Sequence, residues 1–351
     1  MTAFRLLTPD AQYADDGVIE RRTAGEGVSW SIHRVRRPQD LPSGALAACD
    51  AMVVWHQLAV DRVVIDQMQH CRIIVRAGVG FDHIDLQAAA DAGIPVCNTP
   101  DYGTSEVADH AIGLMLALRR GIVSYHQALT ADPVAGFDHG RAPLVRRVRG
   151  TTFGIVGLGR IGIATTIRAK AFGMRVVAYD PYVSHATEIA LGVERVDSLP
   201  ALLQQSDVVS LHCPLTEETR MMMNAEMLRL MKRDAILINT ARGAVIDIPA
   251  LLEALQLGTI AGAGIEAVIK VFRLPRRNID ARLKGYGDRH ADRTACCARP
   301  GRHGRSTRTG TQPPGPTSTG NARMTDRHQA KIPDNRLRYR HLLPHASPTL
   351  C

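Results

Sequence analysis

The sequence predicts an α/β protein built on two doubly wound parallel sheets, and three observations carry that expectation. Short β-branched runs alternate with helix-like stretches through the first 266 of 351 residues, the order expected of parallel strands joined by covering helices. The alternation breaks once, at a stretch holding Pro133, Gly136, Gly140 and Pro143, and then starts afresh, which marks two units. The composition, 45% hydrophobic and 22% charged, is that of a globular chain with room for two ordinary cores.

In the first unit the β-branched runs place strands at 4–7, 28–33, 51–55, 72–77 and 95–98, with helices at 60–68 and 84–92. A long helix should follow at 105–118, because Val107, Ala108, Ala111, Leu114, Met115 and Leu118 recur at helical spacing. That stripe either pairs two copies or packs inside the chain. Residues 130–149 read as loop. The second unit opens with a strand at 152–156, a glycine turn and a helix to Phe172. It continues as strand 175–179, helix 199–205, strand 208–212, helix 225–231, strand 235–239, helix 249–257 and strand 260–265.

The formal charge of +9 does not belong to the whole fold. Residues 267–351 hold 18 Lys and Arg against 5 Asp and no Glu, a balance of +13, whereas residues 1–266 stand at −4. The body is mildly acidic, which does not suit a nucleic-acid binder. After Val271 no helical or alternating pattern continues, and 299–321 is Arg, Gly, Pro, Thr and Ser (RPGRHGRSTRTGTQPPGPTSTGN). Such a stretch buries too little apolar surface to offset its ordering entropy, so residues 272–351 are expected to be a disordered basic tail. A basic arm gripping phosphates is one reading of it; an out-of-frame stretch of a GC-rich gene is preferred, and nucleic acid is not expected as a partner.

No apolar run reaches the length of a membrane span, and the first ten residues lack the layout of a signal peptide. The seven cysteines therefore read as reduced thiols in a cytoplasmic protein. None is spaced as a zinc site, so no metal is expected.

The chemistry is concentrated in the turn G157-L-G-R-I-G162. Alone the pattern is weak, but it follows an apolar strand and opens a helix. Gly157 permits the tight turn, Gly159 lets backbone approach a pyrophosphate, and Gly162 allows helix and strand to pack closely. The helix N-terminus at Arg160 and Ile161 offers free N–H groups and partial positive charge to phosphates. Asp180 lies at the end of the next strand, 18 residues after Gly162, where its carboxylate can accept hydrogen bonds from ribose hydroxyls. No arginine follows directly to hold a 2′-phosphate, so NAD is the expected cofactor rather than NADP.

With these residues in view, the chain resembles the D-isomer-specific 2-hydroxyacid dehydrogenases, especially the branch that includes the C-terminal binding proteins. The runs that carry the resemblance are RAGVGFDHID (76–85), GIPVCNTPDYGTSEVADHAIGLMLAL (93–118), GTTFGIVGLGRIG (150–162), VVSLHCPLTEETR (208–220) and LINTARGAVIDIPAL (237–251). Together they cover roughly residues 45–266 in the family's order. The resemblance implies a flavodoxin-like substrate domain at 1–103, an inserted Rossmann NAD domain with its connecting helix at 104–271, and a homodimer.

It also implies roles. Arg76, Val79 and Gly80 would form the loop that offers backbone N–H groups to a substrate carboxylate; a plain strand-end turn is the alternative. Thr104 would contact the cofactor, or cap its helix, or both. His212, Cys213 and Pro214, with Thr219 in the same run, would line the adenosine side, His212 not being the catalytic base. Thr240 and Ala241 would face the nicotinamide. Arg242 would grip the carboxylate and polarise the keto oxygen of a 2-oxo acid, and Glu266 would stand where the family has an aspartate beside the nicotinamide. The implied reaction is hydride transfer between NAD(H) and a small 2-hydroxy or 2-oxo acid.

Two parts of the family's machinery are missing. Its run [LI]-D-V-x-x-x-E-P reads here IEAVIKVF (265–272), with Val271 in place of the glutamate that orients the proton-donating histidine. The downstream T-P-H signature is absent, and His290 sits in the unrelated setting GDRHADR. A chain that keeps NAD binding but turns over little or not at all is expected, and a non-catalytic NAD(H)-responsive binding protein is the alternative.

Overall fold

The computed structural model describes residues 3–136, 138–266 and 283–285. The first sheet is parallel, in the order β2-β1-β3-β4-β5, from β1 (Phe4–Thr8), β2 (Val28–Ile32), β3 (Ala51–Val54), β4 (Ile74–Arg76) and β5 (Val96–Asn98). This is the flavodoxin-like order. Its crossovers carry α1 (Val18–Ala24), α2 (Ala45–Ala48), α3 (Arg62–Ile65) and α4 (Leu86–Asp91). One core gathers Leu7, Met52, Val54 and Ile74 from the strands with Leu46, Val64, Ile65, Ala88 and Ala89 from the helices.

Helix α5 (Thr104–Arg119) leads out of this unit, followed by α6 (Ile122–Ala131). The second sheet is again parallel. It comprises β6 (Thr152–Val156), β7 (Arg175–Tyr179), β8 (Glu194–Arg195), β9 (Val208–Leu211), β10 (Ile236–Asn239), β11 (Gly262–Ile265) and β12 (Leu283–Gly285). The order β12-β11-β10-β9-β6-β7-β8 reverses direction between β6 and β9. Helices α7 (Arg160–Ala171), α8 (His185–Leu191), α9 (Leu199–Gln205), α10 (Ala225–Leu230) and α11 (Ile248–Leu257) join the strands.

Alternation along the strands explains why both faces of this sheet are covered. Phe153, Ile155, Val208, Ile236 and Ile238 point into one core with Ala111, Leu114 and Met115 of α5 and Ala169 of α7. Val156, Val209, Leu211 and Leu237 point into the other, with Leu202 and Leu203 of α9 and Leu251 and Leu255 of α11. Each fully buried Val, Leu, Ile, Phe or Met side chain among them is worth about 1.5–3 kcal/mol over its exposed state.

Several sequence expectations are corrected. The helix at 60–68 shrinks to α3, because Val60 bridges to Ile84 and the Asp61 carboxylate caps Val64 N–H at 3.0 Å. The long helix begins one residue early, with Gly103 as its N-cap, so Thr104 is not the cap. Its apolar stripe is internal core. The loop at 130–149 contains a 3-10 turn, His139–Arg141. The tail yields one strand: β12 pairs with β11 through Ala263↔Leu283 to Ile265↔Gly285. An edge strand offers backbone groups to any extended segment, whatever its side-chain pattern. The expected disorder of the rest of the tail, along with Val271 and His290, lies outside the described residues. Among the described residues no helix is long and apolar enough to cross a membrane.

Candidate cofactor and substrate cleft

Ligands of open α/β sheets bind beyond the carboxyl ends of the strands, where the strand order reverses. A cleft of about 430 Å³ lies there. The second sheet contributes the turns after β6, β9 and β10: Gly159, Arg160 and Ile161; His212, Cys213 and Pro214; Thr240, Ala241 and Arg242. The first sheet faces them with Arg76 at the end of β4, Val79, Gly80 and Asp82 in the loop after it, and Asn98 at the end of β5.

The glycine turn is shaped from beneath. Gly157 has φ +93°, and a Cβ there would lie 2.7 Å from the backbone N of Cys213. A Cβ on Gly162 would come within 2.1 Å of the Gly157 carbonyl oxygen. Gly159 differs: its Cβ position is open space, and as N-cap of α7 it brings no side chain to the first-turn N–H groups. Arg160 forms an ion pair with Asp101 at 2.8 Å. Asp180 holds the turn as well as following it, since its carboxylate accepts from Leu158 N–H at 2.7 Å and Tyr182 N–H at 2.9 Å. A carboxylate has about four acceptor sites, so lone pairs remain for a ribose.

Three buried polar atoms around this region have no hydrogen-bond partner among the described residues: the hydroxyls of Thr104 and Thr240 and Nδ1 of His212. A buried polar group left without a partner costs roughly 1–3 kcal/mol, which a ligand bearing the matching group would recover. An open glycine cradle at a helix start, with unpartnered groups beside it, fits NAD(H). Thr104, Gly157, Gly162, Asp180, Thr219 and Glu266 stand outside the wall of the cleft itself. Thr219 Oγ1 donates to Pro214 O at 2.7 Å and so organises its own turn. Glu266 is exposed, its N–H bonded to Asn239 O at 3.0 Å.

Burial pulls the His212 imidazole down from its ordinary 6.5 to about 4, with Nε2 2.9 Å from Ser210 Oγ. It is neutral at neutral pH, and no carboxylate partners it among the described residues. The unfolded chain takes up this proton near pH 6.5 and the folded chain only near 4. The contribution is therefore complete above 6.5 and is lost as pH falls through that window, by up to about 3 kcal/mol. His212→Gln should flatten this part of the stability–pH curve, measured as urea midpoints from pH 7 to 4. An unaltered curve would rule out His212 as its source. Burial likewise pushes the Cys213 thiol up to about 11, so it stays protonated.

At the other end two guanidinium groups meet a glycine loop. Arg76, 6% exposed, donates from Nε to Gly80 O at 2.8 Å. Burial lowers its pKa, and the charge of Arg242 acts in the same sense. Asn98 Nδ2 donates to Val79 O at 2.8 Å. The loop carbonyls are thus held from below, while the N–H groups of Val79 and Gly80 donate to nothing among the described residues. Arg242 reaches across from the second sheet. Its Nε donates to Asp82 Oδ1 at 2.7 Å, and its Nη2 lies where a Cβ on Gly80 would come within 1.5 Å. Asn239 steadies this segment, donating from Nδ2 to Arg242 O at 2.9 Å and accepting from Ala241 N–H at 2.9 Å.

Sequence reasoning missed Asp82, although it lies inside the quoted run RAGVGFDHID. It also missed Asn98, Tyr102 and Asp101. Their only signal was adjacency to glycine and proline turns at strand ends. Among the described residues, no group of three or more His, Cys, Asp or Glu side chains could hold a metal.

Comparison with known proteins bears on the family and the fold. Residues 112–271 match the model of the D-isomer specific 2-hydroxyacid dehydrogenase, NAD binding domain. A D-3-phosphoglycerate dehydrogenase from Methanocaldococcus jannaschii is 42% identical over 217 residues, 62% of this chain and 41% of that protein. A glyoxylate reductase from Korarchaeum cryptofilum is 45% identical over 218 residues, 62% of this chain and 65% of that protein. The chain thus spans less than two thirds of the length of these two curated relatives. The crystal structure of a D-lactate dehydrogenase from Aquifex aeolicus complexed with NAD and lactic acid is similar with a TM-score of 0.67 and 32% identity. That similarity covers 76% of this chain and 77% of the other. With five motifs in order, a cofactor cradle at the switch point and these matches, the chain belongs to the D-isomer-specific 2-hydroxyacid dehydrogenase family and carries its NAD-binding domain.

Proposed function

We propose that this chain binds NAD(H) along the cleft and a small 2-oxo or 2-hydroxy acid at its inner end, in the arrangement used for hydride transfer, and that it turns over slowly or not at all. The observation that carries the reading is that Arg242 Nη2 packs directly against Gly80, in a loop where the N–H groups of Val79 and Gly80 donate to nothing among the described residues. A guanidinium against a loop with unused backbone N–H groups suits a carboxylate and the developing charge on its neighbouring keto oxygen. When bound, NADH supplies the hydride. Gly159, Arg160 and Ile161 would hold its pyrophosphate, Asp180 its ribose, His212, Cys213, Pro214 and Thr219 the adenosine side, and Thr240, Ala241 and Glu266 the nicotinamide side, with Thr104 contacting the cofactor.

The weak step is the proton. The family-type glutamate is replaced by Val271 and the T-P-H histidine is absent. Asp82, the carboxylate in the cleft wall, is held ionised by Arg242 and cannot act as the acid at neutral pH. This favours the second reading, an NAD(H)-responsive binding protein that needs no proton donor. The expected pattern is NADH binding in the micromolar range, tighter than NADPH, seen by fluorescence titration. Oxidation or reduction of 2-oxo and 2-hydroxy acids should stay far below ordinary enzyme rates. Turnover above about one per second would refute the loss of activity; no NADH binding would refute the whole reading.

The same proposal takes residues 1–103 as substrate domain and 104–271 as NAD domain, in a cytoplasmic homodimer. Support for pairing comes from α6, which buries none of its residues and exposes Ile122 and Leu129.

A further inference from the structure

We infer that Asp82 is the positioning residue that aims Arg242 at the oxo acid; the inference rests on the reading above that the cleft takes such an acid. A guanidinium carries five N–H donors in a fixed plane, so fixing two of its edges determines where the third points. In Arg242 the Nε donates to Asp82 Oδ1 at 2.7 Å, and Nη1 donates to its neighbour's carbonyl, Ala241 O, at 3.0 Å. Nη2 is left, and it lies against Gly80, on the loop whose Val79 and Gly80 N–H groups donate to nothing among the described residues. The Ala241 carbonyl is local and moves with the Arg242 backbone. Asp82 is not: it stands 160 residues away in sequence, on the loop after β4 that also presents Val79 and Gly80. The same loop therefore carries the donors and sets the direction of the cation that completes them.

Asp82 is also the one carboxylate among the described residues of the cleft wall. Burial works against its ionised form, but the hydrogen bond and charge of Arg242 outweigh this and hold it below the usual carboxylate range. It therefore accepts from Arg242 throughout the neutral range. Its negative charge by itself repels an anionic substrate, so the two roles open to it predict opposite signs. A mere counter-charge weakens oxo-acid binding, and its removal tightens it. A positioning residue strengthens binding, and its removal weakens it.

Oxamate, a 2-oxo-acid mimic, titrated into the NADH complex separates them, with NADH affinity measured in parallel. Asp82→Ala should weaken oxamate by about tenfold or more, the worth of one charge-assisted hydrogen bond, while NADH affinity stays within about twofold. Asp82→Asn, which keeps one oxygen acceptor, should fall between, and Asp82→Glu should recover part of the loss. Unchanged or tighter oxamate binding in Asp82→Ala overturns the inference while leaving the oxo-acid reading intact. A parallel loss of NADH and oxamate also overturns it, in favour of general cohesion across the cleft. Wild-type protein that binds NADH but no oxamate defeats the oxo-acid reading itself, and the inference with it.

Discussion

Gly162→Ala should lower NADH affinity by roughly a hundredfold and lower the thermal midpoint by several degrees. The added methyl would sit 2.1 Å from the Gly157 carbonyl oxygen and 3.1 Å from its carbonyl carbon. Both are backbone atoms of the turn, so no side-chain rotation relieves the contact. The turn has little room to retreat, since Gly157 itself packs against Cys213 N and the carbonyl carbon of His212. Alanine in a helix regains about 1 kcal/mol of propensity over glycine, whereas overpacking of this kind costs about 1–3 kcal/mol. The overpacking wins, and the phosphate cradle moves off the α7 N-terminus.

Gly159→Ala is the control that separates packing from binding. Nothing lies within 4 Å of its Cβ position, so the folded protein should accept it with an unchanged midpoint. NADH affinity should still fall by about tenfold, because that open space is where the pyrophosphate must approach. Fluorescence titration and thermal denaturation on both variants decide the matter. If Gly162→Ala bound NADH as the parent does, the cradle would not be the cofactor site.

How far the fold was legible follows from what each segment buries. Strands Thr152–Val156 and Arg175–Tyr179 and helix Leu199–Gln205 match the sequence expectation residue for residue. Their apolar runs are bounded by turn residues and packed on both sides, which leaves little freedom of register. Helix Val18–Ala24 buries nothing and left no amphipathic trace to read. Helix His185–Leu191 buries only Glu188, a polar position that periodicity counts as outward. That carboxylate is satisfied by His185 and Arg195, partners unknowable without the fold.

The candidate site divides the same way. The glycine turn, Asp180 and Arg242 were legible because one local motif carries each. Asp82 was not, since nothing in RAGVGFDHID says which of its two aspartates meets a residue from the other sheet. Asp85 caps α4 by accepting from Ala88 N–H at 2.8 Å, while Asp82 crosses the cleft. Alternation along a loop of irregular backbone does not decide between them.

Gly80→Ala should abolish measurable oxo-acid binding while leaving NADH binding and the fold in place. Its methyl would come within 1.5 Å of Arg242 Nη2 and 2.4 Å of Cζ. Unlike the carbonyl under Gly162, these atoms are the far end of a flexible side chain, so the chain folds by swinging the guanidinium aside. What it loses is placement: Nη2 leaves its position against Gly80, and the Asp82 hydrogen bond must lengthen or break. Loss of one charge-assisted hydrogen bond is worth about 1.5–3 kcal/mol, and misalignment of the backbone donors adds to it. Oxamate affinity in the NADH complex should therefore fall by a hundredfold or more. The NADH titration and the urea midpoint should stay near the parent's, since the cofactor cradle and the three cores are untouched. Oxamate binding that survived in Gly80→Ala would mean that Arg242 is not what holds the acid, and would move the substrate site to Arg76.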